Sequence, residues 1–60
     1  MLIFDENGWR VYQHPHLMIF HISKWMEGDD RRSYGRTWDY FTVHECHSIK
    51  EVKEYLRNNM

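Results

Sequence analysis

The chain has 60 residues, a formal net charge of -1 with histidine neutral, 28% charged residues and one cysteine, Cys46. This length predicts one domain, residues 1–60, that buries only about 60% of the surface its unfolded chain exposes. The lone cysteine excludes a disulfide framework, and the balanced charge excludes a global field that attracts nucleic acid or anionic lipid. Three Trp, four Tyr and three Phe predict a folded domain rather than a disordered tail.

The N-terminal segment, residues 1–4, is apolar, but Asp5 and Glu6 follow it directly. Such a run is far shorter than the core of a signal peptide or a membrane span. The sequence therefore predicts a cytoplasmic protein without membrane association.

The first predicted hairpin turns at Asn7 and Gly8. A type I′ turn needs positive φ at both central residues, and these two residue types adopt it most easily. A two-residue turn also fixes the strand register. The predicted cross-strand pairs are Glu6 with Trp9, Asp5 with Arg10, and Phe4 with Val11.

The third predicted strand, residues 17–25, is apolar on both alternating faces at its centre. Pro15 favours a reversal over residues 14–17, which would place Val11 opposite Phe20. A strand that is apolar on both faces needs cover above and below the sheet. Only one helix is predicted to supply it, so one sheet face is expected to lack cover.

The register assigns two sets of side chains to the two faces of the sheet. The predicted core face carries Leu2, Phe4, Trp9, Val11, Met18, Phe20 and Ile22. The predicted uncovered face carries Ile3, Tyr12, Leu17 and Ile19 among Asp5, Arg10, His14 and His21.

Residues 26–35 contain two glycines and a mixture of acids and bases, which is typical of an exposed hairpin loop. A fourth strand is predicted over residues 36–44. We favour the parity that directs Phe41 and Val43 to the core. Trp38, Tyr40 and Thr42 would then project from the uncovered face.

Ser48 and Glu51 have the spacing of a capping box, which predicts a helix over residues 49–57. Its apolar side comprises Ile49, Val52, Tyr55 and Leu56, at the spacing that lets a helix lie on a sheet. The predicted fold is therefore α+β, in the order ββββα, with a four-stranded antiparallel meander and the C-terminal helix packed on one face.

A zinc site is one functional hypothesis, in which the metal would staple a small domain. Pairing Trp25 with Arg36 would gather several ligand-type side chains at one end of the sheet. The spacing matches no compact zinc-finger pattern. The candidate ligands are His14, His16, His44 and Cys46, and His47 follows Cys46 directly in the sequence.

Single-stranded nucleic-acid binding is a second hypothesis, with Tyr12, Trp38 and Tyr40 as a stacking platform. The adjacent acids weaken it, because binding a phosphate backbone requires a net basic surface. The basic candidates are Arg10, the loop residues Arg31, Arg32 and Arg36, and the helix residues Lys50, Lys53 and Arg57.

An enzyme is the least supported class. Cys46 with a nearby histidine could form a thiolate nucleophile and Glu45 could move protons, but the sequence shows no oxyanion or phosphate loop. A small half-buried cysteine at the end of a strand explains Cys46 equally well.

A protein-interaction module that binds another protein or forms a homodimer explains the most features. Trp, Tyr and Met are side chains that interfaces favour. Small inhibitors or adaptors of larger host proteins, including phage-encoded ones, have this general character. The alternative is that the loop folds back and covers the face with Met26 and Tyr34. The predicted partner-binding residues are Tyr12, Leu17, Ile19, Trp38 and Tyr40.

Overall fold

The computed structural model describes residues 1–30, 32 and 35–60. The four strands form one antiparallel sheet in the order β1-β2-β3-β4, and the helix follows the last strand. The predicted ββββα order is confirmed. The elements are β1 (Leu2–Glu6), β2 (Trp9–Gln13), β3 (Phe20–Asp30), β4 (Gly35–Cys46) and α1 (Ile49–Asn59).

The β1–β2 hairpin turns where the sequence predicts it, with φ of 54° at Asn7 and 81° at Gly8. All three predicted cross-strand pairs are confirmed. A register shift between Leu2 and Phe4 then pairs Leu2 with Tyr12. Because a bulge changes which residues share a face, Leu2 leaves the predicted core and is 45% exposed.

Strand β3 begins at Phe20, so the prediction of a strand from residue 17 was wrong. Residues 14–19 form the connection, which is closed by a hydrogen bond from the His14 N–H to the Ile19 carbonyl at 2.9 Å. The predicted core residue Met18 lies in this connection and is 63% exposed. Val11 pairs with Ile22 rather than with Phe20. The shift is two residues, which preserves the face of every strand side chain.

The predicted loop over residues 26–35 was also wrong, because β3 continues to Asp30 and β4 starts at Gly35. Trp25 pairs with Tyr40 rather than with Arg36. The Trp25 N–H donates to the Gly8 carbonyl at 2.8 Å, at the turn end of β2. Beyond that point β3 and β4 continue as a two-stranded arm, residues 26–30 and 35–39.

Strand β4 follows the predicted parity only in part. Phe41 pairs with Lys24 and lies on the helix side, as expected. Its ring packs over Gly28, where a Cβ would lie 2.8 Å from Phe41 Cζ, so only glycine fits there without a shift of the ring. Val43 occupies a register shift in the β3–β4 ladder and is 39% exposed, so its assignment to the core was wrong.

Helix α1 begins as the capping box predicts. Ser48 Oγ accepts a hydrogen bond from the Glu51 N–H at 3.2 Å, and Glu51 Oε2 accepts one from the His47 N–H at 2.8 Å. The helix covers one face of the sheet, with Val52 and Leu56 buried. The buried hydrophobic core comprises Trp9, Val11, Phe20, Ile22, Cys46, Val52 and Leu56.

Helix α1 is also too short and too polar to cross a membrane, and the described part of the chain contains no helix that could do so.

Candidate protein-interaction face

The sheet face away from α1 carries four large aromatic side chains. Directly paired residues of antiparallel strands project to the same face, and the pairs Trp25 with Tyr40 and Glu27 with Trp38 occupy this side. We call this surface the aromatic face. It is defined by Tyr12, Trp25, Trp38 and Tyr40.

The centre of the aromatic face is an ordered stack. The rings of Trp25 and Tyr40 meet edge to face, with centroids 5.2 Å apart and an interplanar angle of 64°. The guanidinium carbon of Arg10 lies 3.9 Å from the Tyr40 ring centroid, in a cation–π contact. Trp25 and Trp38 remain 46% and 58% exposed. The face thus presents uncovered aromatic area, and the contacts between Trp25, Tyr40 and Arg10 hold its centre in place.

Arg10 contacts a hydroxyl, a carboxylate and an aromatic ring. Its Nη1 donates to the Tyr12 hydroxyl at 3.5 Å, and its Nε lies 3.3 Å from Asp5 Oδ1. The Nε contact is an ion pair without hydrogen-bond geometry, since this buried atom has no hydrogen-bond partner in the described structure. The hydrogen bond to Tyr12, with a further contribution from Asp5, raises the pKa of Arg10. Its charge is permanent and largely compensated.

Arg36 is compensated in the same way on the arm. Its Nε lies 3.0 Å from Glu27 Oε1 and its Nη1 lies 3.2 Å from Asp29 Oδ1. Arg32 lines a cavity on the helix side of the arm, while Arg31 lies outside the described residues. Arg10 and Arg36 therefore lie on the side of the aromatic face, but acidic neighbours pair with both of them.

Three of the five predicted partner-binding residues, Tyr12, Trp38 and Tyr40, lie together on the aromatic face. Leu17 and Ile19 do not, because they belong to the connection before β3 rather than to a strand. Trp25 replaces them and was missed. Alternation along the predicted strand could have found it, because Trp25 lies four residues after His21 and therefore on the same face.

The proposed covering of this face by residues 26–35 finds no support in the described residues. Met26 pairs with Asp39 and projects to the helix side of the arm. Tyr34 lies outside the described residues.

The candidate metal ligands are not gathered. The rings of His14 and His16 are 6.3 Å apart, and the His16 N–H donates to His14 Nδ1 at 3.1 Å. His44 instead stacks on Tyr55, with centroids 4.4 Å apart and an interplanar angle of 5°. No group of three or more His, Cys, Asp or Glu residues suited to a metal ion occurs among the described residues.

The candidate catalytic residues also lie apart. Cys46 is 1% exposed in the core on the helix side. Burial, with the charge of Glu51 as a smaller cause, raises the pKa of its thiol. Glu45 projects to the opposite face, where its Oε1 lies 3.4 Å from His21 Nδ1. A neutral buried thiol is a poor nucleophile and a poor metal ligand.

The basic residues of α1 are separated from the aromatic stack by the sheet. Lys50, Lys53 and Arg57 line shallow surface clefts on the helix side. A single strand of nucleic acid that stacked on Tyr40 or Trp38 could not reach them without wrapping around the sheet.

The chain was compared with protein-family profiles, with curated proteins and with solved structures, and none of these comparisons found a match. The functional conclusion therefore rests on the geometry of the aromatic face.

Proposed function

We propose that this chain is a non-enzymatic protein-interaction module that binds a protein partner through the aromatic face, in the manner of a small inhibitor or adaptor. The observation that carries the proposal is the exposure of Trp25 and Trp38 on a face that no described residue covers. Trp, Tyr and Arg dominate the energetic centres of protein interfaces. We place the interaction in the cytoplasm, because a lone cysteine suits a reducing compartment.

The ordered stack favours binding. Trp25, Tyr40 and Arg10 already hold one another in place. Side chains that are fixed before binding lose little conformational entropy when a partner immobilises them. Trp25 can therefore contribute most of the free energy of its burial to affinity, and Trp38 adds the largest exposed aromatic area of the face.

The charges on the face favour protein over nucleic acid. Arg10 and Arg36 are opposed by Asp5, Glu27 and Asp29, each within ion-pair distance of one of the two arginines. Neutralising a phosphate backbone requires free cations. A protein surface requires only that the ion pairs at the rim of the patch remain hydrated or find polar neighbours.

Replacement of Trp38 by alanine tests the proposal. The side chain is 58% exposed, so Trp38→Ala should preserve the fold, as circular dichroism would show. Proteins from the native host that bind the immobilised wild-type chain are identified by mass spectrometry, and their affinities are then measured by calorimetry. We expect Trp38→Ala to weaken a specific partner by about 30-fold, or about 2 kcal/mol.

Met26→Ala provides the matched control, because Met26 is an exposed apolar residue on the opposite face of the same arm. It should leave the affinity unchanged. Equal losses in both variants, or an unchanged affinity in Trp38→Ala, would contradict binding through the aromatic face. Loss of a homodimer in Trp38→Ala alone would mean that the face binds a second copy of the chain.

A further inference from the structure

A second surface of the molecule lies on the helix side, between the edge strand β1 and helix α1. It is a groove of about 470 Å³, and its lining is mainly apolar. Charged side chains stand at its margins, namely Glu6, Lys53 and Arg57. The apolar lining comprises Ile3, Phe4, Ile49, Val52, Leu56 and Met60.

The backbone of β1 determines what kind of segment can fill this groove. Strand β1 pairs only with β2 in the sheet order. Alternate N–H and C=O groups of an edge strand point away from the sheet and can pair with a further strand. An extended segment beside β1 would bond to these groups and place alternate side chains in the groove. Ile3, which is 38% exposed, would be covered by it.

The direction of α1 sets where each charge lies along the groove. Cys46 and Gln13 both pair with Phe20, and the N-terminal amine donates to the Gln13 carbonyl at 2.8 Å. The helix therefore begins at the same end of the sheet as β1. It then runs towards the Asn7–Gly8 turn, since Tyr55 reaches the ring of Trp9 at a centroid distance of 6.3 Å.

We propose that the occupant of the groove is β1 of a second copy of this chain, antiparallel to the first and related by a twofold axis near Phe4. The antiparallel direction carries Glu6 of the second copy to the first half of the helix, where Lys53 lines the groove. Neither Glu6 nor Lys53 forms an ion pair in the described part of its own chain. The symmetry repeats this charge match at both ends of the interface.

The order of residues along β1 suits both the apolar lining of the groove and the basic residues at its margins. Its apolar residues come first and its acidic residues last. An antiparallel copy therefore matches Ile3 and Phe4 to the apolar groove and Glu6 to Lys53, which lines the same groove. Both edge strands contain a register shift, at Ile3 in β1 and at Val43 in β4, but only β1 borders the apolar groove.

The dimer would be one continuous eight-stranded sheet with both helices on one side. Both aromatic faces would lie on the other side and remain free. This inference is independent of the proposed function, because it involves a different surface, and it would make the module bivalent for its partner.

A pair of charge-reversal variants tests the proposed dimer. We expect the wild-type chain to sediment as a dimer, and Glu6→Lys and Lys53→Glu to weaken dimerisation about tenfold or more, because each places two repulsive pairs in the interface. An equimolar mixture of the two variants should recover dimers, since every contact between unlike copies again joins opposite charges. Native mass spectrometry would identify these heterodimers.

Recovery in the mixture cannot come from a contact within one chain, because each copy retains its own substitution.

Ile3→Lys should also abolish the dimer, while Leu17→Lys, an equivalent change at an exposed residue outside the groove, should not. A wild-type monomer at submillimolar concentration would overturn the proposal. So would a dimer that tolerates Ile3→Lys, or one that is lost on Trp38→Ala.

Discussion

Cys46 illustrates how its surroundings decide the chemistry of a side chain. Its residue type made it a candidate metal ligand and a candidate nucleophile. In the structure it pairs with Phe20 and is 1% exposed. Its raised pKa, caused first by burial and then by Glu51, keeps it as a neutral thiol. At the end of β4, Cys46 therefore contributes to the packing of the core.

The raised pKa of Cys46 predicts a loss of stability at alkaline pH. Below the ordinary thiol pKa of about 8.5, the thiol is protonated in both the folded and the unfolded chain, and its contribution is fully present. Above that pH the unfolded chain ionises first, so the free energy of unfolding falls, by at most about 1.4 kcal/mol per pH unit. Urea unfolding at a series of pH values measures this slope.

Cys46→Ala is the control for this prediction. The variant should be less stable at neutral pH but should lack the part of the alkaline slope that the thiol causes. If both proteins lost stability in parallel as the pH rises, the slope would belong to other titrating groups.

The arm shows that the neighbours of charged residues also decide whether a segment forms a strand or a loop. Its closely spaced charges are typical of a loop, yet Arg36 bridges Glu27 and Asp29 across the two strands. The pairing extends β3 and β4 beyond the Asn7–Gly8 turn. Since no described residue forms a packed layer on either face of the arm, its stability depends on the ladder and on a few side-chain contacts.

Hydrogen exchange tests this description of the arm. The ladder amides of residues 26–30 and 35–39 should exchange about tenfold or more faster than those of β2, because a two-stranded ribbon opens locally without unfolding the core. Exchange would be followed by NMR on the isolated chain. Equal protection in the arm and in β2 would show that the arm is covered, and binding of a partner to the aromatic face should produce such protection.

At the scale of the whole molecule, the core lies on one side of the sheet only. The buried residues of the strands face α1, and the opposite face has no second layer among the described residues. The radius of gyration, 12.4 Å, exceeds the value of about 10.4 Å typical of a compact 60-residue domain. Stability is therefore concentrated in a small cluster of side chains.

Truncation of this core should unfold most of the molecule. Phe20 is 1% exposed, and Phe20→Ala should cost about 3–5 kcal/mol. A domain of this size has a stability of about 3–5 kcal/mol, so most molecules should be unfolded at room temperature. Thermal melting followed by circular dichroism would show this.

Met18→Ala is the control, since Met18 belonged to the predicted core but is 63% exposed in the structure. We expect a change within about 0.5 kcal/mol. A large loss in Met18→Ala, or a normal melt in Phe20→Ala, would mean that the core lies elsewhere.

Local chemistry made several features predictable from the sequence. The Asn7–Gly8 turn, its cross-strand pairs and the Ser48 cap depend on residues close together in the chain, and each was confirmed. The ββββα order follows from the same local signals. The aromatic character of the uncovered face was predictable from alternation, which located Tyr12, Trp38 and Tyr40.

The tertiary structure decided the features that depend on register between distant segments. The six-residue connection after β2 shifted the pairing of Val11 by two residues, and the bulges moved Leu2 and Val43 out of the core. The sequence does not show how far two strands continue to pair. The arm and the groove beside β1 therefore emerged only from the folded chain, because pairing and packing between distant segments determine them.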